Sequence, residues 1–122
     1  VTIALAPNGQ LTTDVTQLVF TPQNWNIAQT VTVTAANDAI VEGNHTGTIA
    51  HTTTSTDTNY NTLSLGSVTA AITDNDTAGI TITQSGGNTT VAEGGTTDSY
   101  TVVLNSQPTA NVTIALAPNG QL

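Results

Sequence analysis

Apolar and polar residues alternate along most of this chain, with a period of two. Val1, Ile3 and Leu5 point one way and Thr2 and Ala4 the other. Val31, Val33 and Ala35 alternate with Thr30, Thr32 and Thr34. The same rhythm returns in Val68, Ala70 and Ile72, in Ile80 and Ile82, and in Tyr100, Val102 and Leu104. Alternation of this kind marks strands with one face inward and one in water. No stretch carries the 3.6-residue apolar rhythm of an amphipathic helix. Between the runs lie turn-forming clusters: APNGQ, TPQN, EGN, TDTN, TDNDTAG, SGGN, EGG and NSQP. Short strands at this spacing, joined by polar turns, predict an all-β chain folded as a β-sandwich.

A second pattern is longer. Residues Val1–Leu11 read VTIALAPNGQL, and Val112–Leu122 read the same, a spacing of 111 residues. Eleven identical residues do not recur by accident, so the expectation is a tandem repeat of 111 residues. One such period is a domain of ordinary size with its own core.

Composition narrows the partners. The 122 residues contain no Lys or Arg and eight acids, for a formal net charge of −8. Phosphate recognition and attraction to anionic lipid both rest on cationic side chains, so no nucleic acid and no membrane insertion are expected. No apolar run reaches the length of a membrane span. Cations are the favoured small partners. The absence of Cys excludes a disulfide framework, and trypsin has no cleavage site.

The stretch LVFTPQNWNIAQTVTVTAANDAIVEGNHTGTI carries a resemblance. A strand ends in Phe20, a turn carries Pro22, and a strand over Gln29–Ala36 leads to Asn37-Asp38, with Glu42 close behind. AAITDNDTAGITIT closes one domain and opens the next, and TVAEGG supplies an early Glu-Gly. This pattern resembles the Calx-beta family, as found in large bacterial surface proteins. The resemblance implies an immunoglobulin-like Greek-key β-sandwich. It assigns strands to Gly79–Gln84, Asp98–Leu104, Val112–Ala117 (equivalently Val1–Ala6), Gln17–Phe20, Gln29–Ala36, His45–Thr54 and Gly66–Thr73. Residues 1–76 are then strands three to seven of one repeat, and residues 77–122 are strands one to three of the next.

The resemblance also implies Ca²⁺ ligands at Asp14, Asp38, Glu42, Asp74, Asp76 and Glu93. Ca²⁺ takes six to eight oxygens from carboxylates, carbonyls and water. The Asp-x-Asp and Asp-x₃-Glu spacings bring neighbouring oxygens onto one ion. Five of these acids are expected at one pole, with Glu93 a domain's length away. Asn37 and Asn75 replace acids common in the family, and His45 replaces a further one, which implies weaker binding or fewer ions. The plainer reading of the same acids is solvated turn residues.

His45 and His51 share a strand face and are expected to be exposed; Phe20 and Trp25 are expected to plug the core. There is no catalytic constellation: no Cys nucleophile, no Lys, no G-x-S-x-G and no H-E-x-x-H, so the chain is not expected to be an enzyme. The expected role is a structural module of a secreted or cell-surface fibre or adhesin stalk, stiffened by structural Ca²⁺ at domain junctions. Its expected partners are neighbouring copies, head to tail and side by side along weakly charged Thr faces. A calcium-sensing module and a carbohydrate-binding module are the alternatives.

Overall fold

A computed structural model describes all residues, Val1–Leu122. The chain is all-β, without an α-helix, and builds curled antiparallel sheets consistent with a β-sandwich. Its strands are β1 (Thr2–Pro7), β2 (Leu11–Thr13), β3 (Gln17–Val19), β4 (Val33–Ala35), β5 (His45–Thr54), β6 (Val68–Ile72), β7 (Ile80–Gln84) and β8 (Tyr100–Leu104). They fall into two compact units: Val1–Asp38 with Gly43–Asp74, and Ala39–Glu42 with Asn75–Leu122.

In the first unit a four-stranded sheet has the order β3-β1-β5-β6. Pairing sets Leu5 opposite His51, Ile3 opposite Thr53, and His45 opposite Ile72. The ten-residue β5 therefore turns its odd positions inward, and Gly47, Ile49 and Thr53 are buried. Its even positions, Thr46, Thr48, Ala50, Thr52 and Thr54, face water. A two-stranded sheet, β2-β4, lies over one end of that inner face. The link between the layers is Leu11, whose side chain fills the space above Gly47. The core is small: Leu5, Leu11, Ile49 and Ile72, flanked by half-buried Leu18, Val31 and Ala70.

Thr53 is the one buried polar side chain. Its hydroxyl donates to the Leu63 carbonyl (3.3 Å) and accepts from the Leu63 N–H (2.8 Å). One hydroxyl thereby satisfies both backbone groups of a loop residue that no strand pairs.

Two expected strands differ. The one over Gln29–Ala36 shortens to β4, because β2 offers it only three partners, Leu11 to Thr13. Val112–Ala117 forms no strand, although the same sequence at the start of the chain forms β1 over Thr2–Pro7. A strand needs a neighbour for its backbone groups. β1 pairs with both β3 and β5, and the second copy has no such pairing.

The second unit centres on the β7-β8 hairpin, with Ile80 opposite Leu104 and Gln84 opposite Tyr100. A 3₁₀ turn, Ser85–Gly87, follows β7 and uses Gly86 at φ 67°. That left-handed conformation suits glycine.

Candidate functional site

The turn after β1 defines one pole of the first unit. The Gln10 carbonyl accepts the Ala36 N–H (2.9 Å), so β4 leaves the sheet beside this turn and runs on to Asn37 and Asp38. The Gln10 side-chain oxygen lies 2.9 Å from His45 Nε2, and His45 Nδ1 lies 2.7 Å from the Gly43 carbonyl. The Asp74 carboxylate accepts the Gly43 N–H (2.7 Å). This bond prolongs the β5-β6 register: two residues beyond His45 and Ile72 stand Gly43 and Asp74, with a side-chain oxygen where the ladder would use a carbonyl. The chain thus passes Asp38 and Asp74 at the same pole.

Asp14 is placed elsewhere. The β2-β4 register runs from Leu11 opposite Ala35 to Thr13 opposite Val33, so Asp14 comes opposite Thr32, at the end away from Ala36. Its N–H donates to the Thr32 carbonyl (3.1 Å) and its carboxylate accepts the Thr32 N–H (2.8 Å). Asp14 closes a ladder and does not join Asp38 and Asp74. The signal was invisible in the sequence because the three-residue β2 carries no alternation long enough to read.

Glu42, Asp76 and Glu93 belong to the second unit. Nowhere do three or more His, Cys, Asp or Glu side chains form a group able to hold a metal. Asp38 and Asp74 alone do not fill the shell of Ca²⁺, which takes six to eight oxygens. The two acids outside the expected ligand set serve turns. Asp57 accepts the Asn59 N–H (2.9 Å). Asp98 accepts from Thr90 and Ser99 (2.8 and 2.7 Å), and these N–H groups hold its carboxyl below the usual range.

His45 and His51 do share a face, and it is the inner one, so both are half-buried rather than exposed. His51 Nδ1 lies 3.0 Å from the Gly66 carbonyl. Trp25 is not a core plug either: it is 72% exposed. With Phe20, Ile3, Tyr60, Leu63 and Leu65 it lines an open groove of about 620 Å³. Val1, Thr53 and Asp57 line it as well.

The hairpin of the second unit has a matching character. Its pairing puts Ile80, Ile82, Tyr100, Val102 and Leu104 on one face and Thr81, Thr83, Thr101 and Val103 on the other. Ile80, Ile82, Tyr100 and Val102 are all exposed. Alternation marks these strands in the sequence but not how far their apolar faces stay open to water.

The class these features define is an all-β chain of antiparallel sheets, with an open groove lined by aromatic and aliphatic side chains, a hairpin with an exposed apolar face and an acidic pole. Comparison with protein-family models, with the sequences of characterised proteins and with solved structures finds no match. No helix is long and apolar enough to cross a membrane.

Proposed function

We propose that this chain is a stretch of a tandem array of immunoglobulin-like sandwiches, 111 residues apiece, that acts as a rigid spacer in an extracellular or cell-surface fibre or stalk. One observation carries the reading. The eleven residues Val1–Leu11 and Val112–Leu122 are identical, yet one copy pairs on both sides and the other pairs on neither. Repetition by 111 places β7 and β8 ahead of a β1 equivalent, and β3 to β6 after it. Each unit then holds the strands that the other lacks. The resemblance to Calx-beta repeats supports the same order. The weakly charged Thr and Ala face of the four-stranded sheet suits contact with neighbouring copies along the array's flank.

The test is a chain extended to two whole periods. It is expected to melt at a higher temperature than the 122-residue chain, and small-angle scattering should show a rod that lengthens by a constant step per added period. A chain that gains neither stability nor length on extension would sink the reading.

Ca²⁺ belongs to the proposal as a structural ion at the Asp38 and Asp74 pole, with carbonyls, water and the acids of further repeats completing its shell. An ion bound only by the folded state adds about 2.7 kcal/mol at a hundred times its dissociation constant. The two-period chain is expected to melt higher in Ca²⁺ than in chelator. Equal midpoints would remove the ion and leave the spacer reading standing.

A further inference from the structure

We infer that the groove of the first unit is a binding site for a small organic cation, a methylated or quaternary ammonium group held on aromatic faces beside a carboxylate. The inference goes beyond the spacer reading and does not rest on it, since every residue it uses belongs to the first unit.

The chain is poor in aromatic residues, with one Phe, one Trp and two Tyr. Phe20, Trp25 and Tyr60 all line this groove, and only Tyr100 lies elsewhere. They come from two loops far apart in sequence, after β3 and after β5, so the fold brings them together. Each loop is pinned by its own hydrogen bonds. In the first, the Asn24 carboxamide oxygen accepts from the Thr21 N–H and hydroxyl, and the Asn24 carbonyl accepts the Ile27 N–H (2.9 Å), which brackets Trp25. In the second, the Asp57 carbonyl accepts the Tyr60 N–H (3.0 Å) and the Asp57 carboxylate accepts the Asn59 N–H (2.9 Å). The Asn61 side chain accepts the Ser55 N–H (3.1 Å) and closes that loop. Walls held in place before a ligand arrives lose less freedom when it binds. Trp25 is nevertheless 72% exposed and Tyr60 50%, so both rings keep free area for a guest. A volume of about 620 Å³ is that of a small-molecule cleft.

Charge selects the guest. The face of an aromatic ring is the negative part of its quadrupole and attracts a cation. Asp57 adds a carboxylate to the same lining. No Lys or Arg side chain exists anywhere in the chain to occupy these faces, and the net charge of −8 draws cations toward the surface. The Val1 ammonium, which also lies at the groove, is bonded to the Phe20 carbonyl (2.9 Å). A hard metal ion needs many oxygens and gains little from Ile3, Leu63 and Leu65. A methylated ammonium carries its charge under an apolar surface, so the aliphatic lining, the rings and the carboxylate all favour it. A neutral sugar would stack on the rings but draw nothing from the charge of Asp57. An anionic group beside the cation would be repelled, so a free ammonium head suits the groove better than one esterified to phosphate.

The experiment titrates the 122-residue chain with choline chloride, against sodium chloride at equal ionic strength, and reads calorimetry and tryptophan fluorescence. Trp25 is the chain's single Trp, so a saturable change in emission reports on this groove. Choline is expected to bind saturably. Its neutral carbon isostere, with tert-butyl in place of trimethylammonium, should bind about tenfold more weakly, because it keeps the shape and loses the attraction to the rings. Phosphocholine should also bind more weakly than choline. Trp25→Ala, read by calorimetry alone, should weaken choline binding about tenfold. Asp57→Asn keeps an oxygen for the Asn59 N–H and removes only the charge, so it should weaken binding about two- to fivefold and flatten its salt dependence. Circular dichroism checks that both variants keep their sheets. The inference is overturned by a choline titration without saturation, by an isostere or phosphocholine that binds as tightly as choline, or by variants that bind as the wild type does. Saturable binding of maltose in place of choline would also overturn it and make the groove a sugar site.

Discussion

Replacing Ile49 by Ala is expected to unfold the first unit. Ile49 is 2% exposed and is the largest fully buried side chain. It sits midway along β5, opposite Pro7 on β1 and Val68 on β6, so it touches the centre of the sheet from both sides. Trimming a buried Ile to Ala costs about 2–5 kcal/mol, part transfer free energy and part cavity. A whole domain is stable by only about 5–15 kcal/mol, and a core of four buried apolar side chains belongs at the low end. The cavity has few neighbours able to close it, which puts the cost in the upper half of the range. Chemical denaturation followed by far-ultraviolet circular dichroism should show the first transition lost or moved to very low denaturant. Thr48→Ala is the control: it is adjacent in sequence, faces water, and should change stability by less than about 0.5 kcal/mol. Equal effects from the two substitutions would mean that the inward and outward faces of β5 are misassigned.

Gly47→Ala is the second large effect, and it runs against local preference. Gly47 has ordinary strand geometry, where exchanging Gly for Ala normally stabilises by about 0.4–1 kcal/mol through the unfolded chain. Here an added Cβ would fall 2.7 Å from Leu11 Cδ1 and nearer still to Cγ. Leu11 is 4% exposed and has no free direction in which to retreat. Overpacking of this kind costs about 1–3 kcal/mol, so the net change should be a loss. The same contact ties β2 to β5, so the substitution also pushes apart the two layers of the unit. A double-mutant cycle with Leu11→Ala isolates the clash: Gly47→Ala should cost much less once Leu11 is trimmed. An unchanged cost in the trimmed background would show that the penalty lies in the backbone and not in the packing.

These two residues show how far the sequence could be read. Alternation alone does not mark the odd positions of β5 as inward: they are His45, Gly47, Ile49, His51 and Thr53, and the face of the two histidines is expected in water. Gly47 breaks that alternation, and nothing in the chain announces that Leu11 fills the gap, since the two are brought together only by the turn over Asn8–Gln10 and the crossing of layers. Trp25 misled for a related reason. A large aromatic beside a strand is normally covered, but Trp25 stands in the loop between β3 and β4 and is 72% exposed. Asp14 could not be separated from Asp38 by spacing, because their positions depend on the β2-β4 register, which reverses direction between them.

The repeated eleven residues divide the two kinds of information within one chain. In both copies the Asn side chain accepts an N–H two residues on, Gln10 to Asn8 (3.2 Å) and Gln121 to Asn119 (3.1 Å). In both, the Leu N–H then closes the turn onto the Asn carbonyl, Leu11 to Asn8 (3.2 Å) and Leu122 to Asn119 (3.1 Å). The sequence alone determines that turn, because all its partners lie within four residues. The strand before it is another matter. Leu5 is 8% exposed and Leu116 71%; Leu11 is 4% exposed and Leu122 81%. Identical residues become a buried strand or an exposed, irregular segment according to whether β3 and β5 stand on either side. Only the tertiary structure decides that, because a strand's hydrogen bonds and its apolar face are both satisfied by residues far away in the chain.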